Sequence, residues 1–262
     1  MPELPDVEIL RRYFDRTSLN QPVAEVLVKS GEMVKGVFSP EELVSQLKGQ
    51  TFSSTLRHGK YLFAEFDAGW LVLHFGMTGT LAHLEEGKEA PEHTRFLLRF
   101  RSGTGLAYQC QRKLGGIYVI DSVEGFIKEQ GLGPDALQIE LDEFKKTIGH
   151  SGGSVKSALM NQAMIAGIGN IYSDEIMYQV KIHPKVRVAG LDDTKLEKLY
   201  EAVRHVLETA IEAGADPSRM PEHYLLPIRE KDGSCPRCGT RIEAAKISGR
   251  TGYYCPGCQV NQ

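Results

Sequence analysis

Gly131-Leu132-Gly133-Pro134 is the stretch on which the reading of the fold turns. Glycine and proline so close together interrupt any regular element, and the hydrophobic period differs on the two sides. Before it, short apolar or alternating runs recur at 22–29, 35–38, 51–56, 60–66, 70–75, 95–101, 105–109 and 115–120. Gly-rich or polar turns (Ala68-Gly69, Gly87, Ser102-Gly103) separate them, which is the pattern of a β-sandwich or barrel. Helices are expected here at 5–14, where Val7, Leu10 and Phe14 recur at helical spacing, and at about 40–48, opened by Ser39-Pro40-Glu41-Glu42. After it the period is helical. Residues 140–148 and 154–162 read as helices, and a third begins near Ile171 after the tight turn Gly167-Ile168-Gly169-Asn170. Residues 194–213 form a long amphipathic helix that stops at Gly214. The fold class expected is α+β in two domains. An N-terminal β-sandwich with flanking helices spans 1–131, a helical domain 132–224, and a cysteine hairpin 225–262.

The composition is that of a soluble globular chain: 262 residues, 41% apolar and 25% charged. No run of about 18 apolar residues predicts a membrane span. The start has no basic segment leading into an apolar one, so no signal peptide is read and a cytoplasmic protein is expected. The net charge of −3 argues weakly against nucleic acid as partner. A binding face, however, needs only a local stripe of Lys and Arg.

Four of the five cysteines fall in two close pairs, Cys235-Pro236-Arg237-Cys238 and Cys255-Pro256-Gly257-Cys258. The 16 residues between the pairs give zinc-ribbon spacing. Each knuckle turns two thiolates toward one ion, and two knuckles complete a tetrahedron. A closed four-thiolate shell has no open position for substrate, so one structural Zn²⁺ is expected. Arg250 lies in the Gly-rich turn Ser248-Gly249-Arg250-Thr251-Gly252, where a rigid hairpin can offer it to a phosphate.

The chain starts Met1-Pro2-Glu3-Leu4-Pro5-Asp6-Val7-Glu8. Removal of Met1 before a small residue leaves a secondary amine on Pro2, a nucleophile that needs no side chain, with Glu3 beside it as acid or base. Pro5 suits the first turn of a helix, as does the negative charge of Asp6. Three more clusters carry polar groups toward a ligand. The glycines before Asn170 let backbone N–H groups approach an anion at a helix start. Arg57-His58-Gly59-Lys60 places Lys60 at the start of a strand, within reach of a phosphate. His74 and Met77 lie in Leu73-His74-Phe75-Gly76-Met77-Thr78-Gly79, where an apolar wedge is what an enzyme that unstacks a base needs. Taken singly, these clusters also fit a frayed terminus, a plain turn, a solvated basic face and a core methionine.

Together they resemble the Fpg/Nei (MutM-like) family of DNA glycosylase/AP lyases, along nearly the whole chain. The residues that carry the resemblance are Pro2-Glu3-Leu4-Pro5-Asp6-Val7-Glu8, His58-Gly59-Lys60-Tyr61, Gly76-Met77-Thr78-Gly79, Gly167-Ile168-Gly169-Asn170-Ile171-Tyr172 and the Gly249-Arg250 to Gln259 tail. The resemblance implies a β-sandwich, then a helix–two-turn–helix domain and a zinc hairpin, with damaged or abasic double-stranded DNA as partner. Pro2 would attack C1′ of the damaged nucleotide's sugar to form a Schiff base, with Glu3 as acid/base partner. Eliminating the 3′ and then the 5′ phosphate would follow. Lys60, Asn170 and Arg250 would hold phosphates. His93, Arg112, Lys156 and His74 would be further DNA contacts, with Arg112 facing the orphaned base and Met77 filling the gap.

The chain departs from the family pattern at Cys110-Gln111-Arg112-Lys113-Leu114-Gly115, where Asp-Pro-Arg-Arg-Phe-Gly is usual. Leu114 replaces the aromatic wedge, and Cys110 removes an expected charge partner of Arg112. The segment 215–230 lacks the Gly-rich loop that closes over oxidised purines, which leans toward pyrimidine lesions or a lyase with loose base choice. The competing readings are a damage-binding protein with little catalysis, a plain zinc-ribbon nucleic-acid binder, and a Pro2 general base for small carbonyl compounds.

Overall fold

The computed structural model describes residues 1–36, 39–247 and 249–260. The chain divides into two compact units, one of residues 1–2 and 6–130, the other of residues 3–5 and 131–262.

Along the first unit run α1 (Leu4–Ser18), β1 (Val23–Val28), α2 (Pro40–Leu47), β2 (Ser54–His58), β3 (Tyr61–Phe66), β4 (Gly69–His74), β5 (Gly79–Leu84), β6 (Thr94–Phe100), β7 (Gly105–Cys110), β8 (Gly116–Ile120) and α3 (Val123–Glu129). The strands form two antiparallel sheets of four, in the orders β1-β6-β7-β5 and β2-β3-β4-β8. Phe96, Leu98, Leu106 and Tyr108 of one sheet share a buried cluster with Leu62, Ala64, Leu71, Leu73 and Ile117 of the other. This is the expected sandwich. The alternate residues Phe63 and Val72 are also buried, under Phe126 of α3. A sheet covered on both faces reads as a continuous apolar run rather than an alternation, which is how 60–66 and 70–75 look in sequence. Ser39 caps α2 through a reciprocal capping box with Glu42.

Two elements of this unit escaped the sequence reading. β5 continues straight out of the Met77-Thr78-Gly79 turn, and its Thr80 and His83 are exposed, so turn chemistry masked it. α3 has only 7 residues, too few to establish a helical period. Of the strand expected at 35–38, Val34 makes a parallel bridge to Ile117 and Lys35 N–H donates to the Ile117 carbonyl; Val37 and Phe38 lie outside the described residues.

The second unit contains α4 (Leu141–Gly149), α5 (Val155–Met160), α6 (Asn170–Gln179), α7 (Asp193–Glu212) and the hairpin β9 (Glu243–Ile247) and β10 (Arg250–Tyr254). α7 is capped by Asp192 and buries Leu196, Leu199, Val203, Val206, Leu207, Ala210 and Ile211 along one stripe. α6 is buried on every side from Tyr172 to Tyr178, the mark of a central helix rather than a surface one. Between α7 and the hairpin, Met220, Tyr224, Leu225 and Leu226 are buried, while residues 216–219 and 222–223 are exposed. Among the described residues, no helix is long and apolar enough to cross a membrane.

Candidate active site

Glu3 is the most constrained residue of the N-terminal motif. Its side chain is 1% exposed. Oε2 accepts from Gly169 N–H at 2.8 Å and Tyr172 N–H at 3.2 Å, and Oε1 accepts from Ile171 N–H at 2.9 Å. These are the unsatisfied amides at the N-terminus of α6, where the helix dipole favours negative charge. The glycines that sequence reading assigned to an outside anion therefore serve an internal one. Gly169 is required by space, because a Cβ there would overlap the Glu3 carboxyl carbon. Leu4 N–H donates to the Gly167 carbonyl at 3.0 Å, so Glu3 and Leu4 are both tied to the same turn. Pro2, the neighbour of Glu3, inherits that placement through one peptide unit and is itself only partly buried.

Asn170, the first residue of α6, spends one amide N–H on the Thr251 carbonyl at 2.9 Å. Its NH₂ group carries a second N–H for another acceptor. Lys156 corrects an expectation. It is completely buried, and its ammonium contacts an Asp174 carboxylate oxygen, Ser173 Oγ at 3.2 Å and the Asn170 carbonyl at 3.3 Å. No phosphate reaches it. Burial pulls the Lys156 ammonium below its ordinary value, and the Asp174 carboxylate opposes that pull. Asp174 is equally buried and also accepts from Arg229 Nε at 3.0 Å and Nη2 at 2.7 Å. Removing one member of such a pair leaves an uncompensated charge, at a cost of about 3–5 kcal/mol. Sequence reasoning missed Asp174 and Arg229. Nothing in Tyr172-Ser173-Asp174-Glu175 marks its acids as internal, because acidic residues in a helix usually face water.

In the sandwich, Gly59 and Lys60 form the two-residue turn between β2 and β3, where His58 pairs with Tyr61. Lys60 thus stands at a hairpin tip rather than at the start of a strand. His74 pairs with Tyr61, with ring centroids 4.7 Å apart. Burial, helped by nearby Lys60, lowers its imidazole to about 4, so it is neutral at pH 7 and offers no charge to a phosphate. Thr78 Oγ1 accepts from Arg112 N–H at 3.2 Å, which brings the Met77 and Arg112–Leu114 loops together. Of the two apolar wedge candidates Leu114 is the prominent one, 52% exposed, whereas Met77 is half-buried. Arg112 is exposed beside it, and His93 is half-exposed with a left-handed backbone (φ 62°). Cys110 is fully buried in the sandwich core, and its carbonyl accepts from Arg95 Nε at 2.9 Å. An Asp in that position would bury a carboxylate.

The four cysteine sulfurs of the hairpin lie within 4.8 Å of one another. The pairs 235–258, 238–255 and 238–258 are 3.8, 3.5 and 3.4 Å apart. A tetrahedron with Zn–S of about 2.3 Å has edges of about 3.8 Å, so the set fits zinc. Burial pushes the Cys255 thiol well above its ordinary value. Thiolates packed this closely need a cation to remain deprotonated. This is a structural zinc site, closed to substrate. The knuckle docks on α6: Arg237 stacks 4.2 Å from the Tyr178 ring centroid and donates to the Tyr178 carbonyl at 3.1 Å. Arg250, exposed, opens β10 opposite Ile247. Ser248, part of the expected turn, lies outside the described residues.

Three family models match in succession. They are the formamidopyrimidine-DNA glycosylase N-terminal domain over residues 1–117, the formamidopyrimidine-DNA glycosylase H2TH domain over 131–222, and a zinc finger found in FPG and IleRS over 234–260. The formamidopyrimidine-DNA glycosylase of Pelobacter propionicus is 32% identical, with 99% of this chain and 100% of that protein aligned. Lactococcus lactis Fpg bound to DNA containing an abasic site superposes with a TM-score of 0.89 at 27% identity, covering 99% of this chain and 100% of that one. The same enzyme bound to DNA containing N7-benzyl-Fapy-dG gives 0.90 at 27% identity, with the same coverage. A zinc-ribbon protein of another kind would match over the hairpin alone. The chain belongs to the formamidopyrimidine-DNA glycosylase family.

Proposed function

We propose that this protein is a bifunctional DNA glycosylase/AP lyase of base-excision repair, acting on damaged or abasic double-stranded DNA through the amine of Pro2. The observation that carries the reading is the lock on Glu3. A residue next to the chain terminus is 1% exposed and held by three amides of another segment. Termini fray unless tied down, and a nucleophile must be held in place to gain from proximity. Pro2, once Met1 is removed, presents a secondary amine. It adds to C1′ of the sugar as the damaged base leaves, and the C1′–O4′ bond then opens, O4′ taking up a proton, to give an iminium. The adjacent C2′–H is thereby acidified, and its loss expels the 3′ phosphate. A second elimination expels the 5′ phosphate. Glu3, the next residue in the chain, is assigned as the acid/base partner. Lys60 at its hairpin tip, Asn170 with its second N–H and Arg250 at the head of β10 are assigned to phosphates. His93, Arg112, Met77 and Leu114 are assigned to the neighbouring nucleotides. The protein works as a cytoplasmic monomer, its substrate being chromosomal DNA.

Relatives are named for formamidopyrimidine lesions, and that lesion class is the first substrate to assign. The segment 215–230 contains no glycine-rich loop to close over a base, which favours broad base choice with strong cleavage at plain abasic sites. The test is strand scission of an abasic duplex. Protein with Met1 removed should cleave it, and protein that retains Met1 should not. Equal cleavage by both would end the Pro2 mechanism.

A further inference from the structure

Residues 170 and 174 lie four apart on α6, on one face, with an axial rise of about 6 Å. Alternate residues of a strand are separated by about 6.6 Å. The two spacings match, and β10 exploits the match. Its inner edge pairs with β9. On its outer edge the Thr251 carbonyl accepts from Asn170 Nδ2 at 2.9 Å, and Tyr253 N–H donates to Asp174 Oδ2 at 2.9 Å. Two side chains of a helix thus do for β10 what a third strand would do. Between these bonds, a Cβ on Gly252 would come within 2.9 Å of both Asp174 Oδ1 and Lys156 Nζ, so the close approach requires glycine. Arg229 closes the arrangement. It bonds Asp174 and the Asn170 carbonyl, the latter at 3.3 Å, with its guanidinium 4.9 Å from the Tyr253 ring centroid.

We propose that Asp174 is a positioning residue for Arg250: it sets the register of β10 on α6 and so fixes where the hairpin presents that guanidinium. The inference rests on the reading of Arg250 as a phosphate contact. Zinc and the Arg237–Tyr178 stack hold the base of the hairpin, near the C-terminal end of α6. Arg250 lies at the other end of β10, where Asn170 and Asp174 are the α6 side chains bonded to the strand. Asp174 gathers Lys156, Arg229 and the Tyr253 amide, and the last of these bonds is made only with β10 in this register. A hairpin held by zinc alone keeps its fold yet loses that fix.

The experiment is a double-mutant cycle between Asp174→Asn and Arg250→Ala, read as affinity for an abasic duplex over a range of salt. Gly252→Ala serves as a second route, since it pushes β10 outward and leaves every charge in place. Zinc content and amide exchange at Tyr253 are measured on each variant. We expect full zinc in all of them, faster Tyr253 exchange in Asp174→Asn and Gly252→Ala, and a loss of about tenfold in affinity. The slope of log affinity against log salt should shallow by about one phosphate contact. Adding Arg250→Ala to either variant should cost less than twofold more. If Arg250→Ala costs the same factor in all backgrounds, or Tyr253 exchange is unchanged, the positioning role is overturned. If Arg250→Ala has no effect on salt dependence in the parent protein, the phosphate assignment fails instead, and Tyr253 exchange still decides whether Asp174 holds the strand.

Discussion

Glu175 sits beside Asp174 on α6, fully buried, but with no cation bonded to it among the described residues. Leu226 N–H donates to one carboxylate oxygen at 2.8 Å and Gln179 Nε2 to the other at 2.6 Å. Burial outweighs these bonds and pushes the carboxyl up to about 7. The folded state therefore holds its proton more tightly than the unfolded state does. Stability from this residue is full below the unfolded value near 4.5 and is lost as pH rises to about 7. Glu175→Gln removes the titration. Its stability relative to the parent should improve by up to about 3 kcal/mol between pH 4.5 and pH 8, measured by urea unfolding. Parallel stability curves for the two proteins would show that Glu175 ionises freely. At the same scale lies the limit of what the residues disclosed. The cysteines could be picked out because a fixed spacing records their chemistry, and Pro2 and Glu3 draw notice only as a terminus and its neighbour. Lys156 was misassigned because a lysine near a helix start looks the same whether it faces a phosphate or an aspartate 18 positions on.

At the scale of elements, the alternation of strands and the helical period identified most of both units, since those patterns record which face is buried. β5 and α3 were lost for opposite reasons, one hidden behind a glycine turn and the other too short to repeat. The pairing of β10 with α6 leaves no trace in the sequence, because bonds between a helix side chain and a strand edge have no period. The hairpin is tied to α6 by the Asn170 and Asp174 bonds to β10 and by Arg237 on Tyr178. Tyr178, Leu225, Cys235, Ile242 and Cys255 form a small buried cluster with two zinc ligands in it. Chelation should therefore loosen this cluster together with the hairpin. Without the ion the thiolates must take up protons or move apart. We expect chelated protein to lose amide protection in β9 and β10 and to lose salt-dependent affinity for abasic duplex. The β-strands of the sandwich should keep their protection. Retained protection in β10 after complete zinc removal would mean that the Asp174 and Asn170 bonds hold the hairpin unaided.

At the scale of the whole molecule, one chain carries a sandwich, a helical unit and a zinc hairpin, and the family match runs through all of them. The order Gly131-Leu132-Gly133-Pro134 coincides with the start of the second compact unit. The N-terminal residues Glu3–Pro5 belong to that unit too, which no local pattern could reveal, because the bonds of Glu3 span 166–169 positions of sequence. A terminus anchored this firmly is the basis for assigning catalysis to Pro2. The direct measurement is borohydride reduction during turnover on an abasic duplex, followed by peptide mapping of the cross-linked protein. A stable protein–DNA adduct is expected, its DNA remnant on the N-terminal peptide at Pro2. An adduct mapped to Lys60 or any other lysine, or cleavage with no trapped adduct, would contradict the assignment to Pro2.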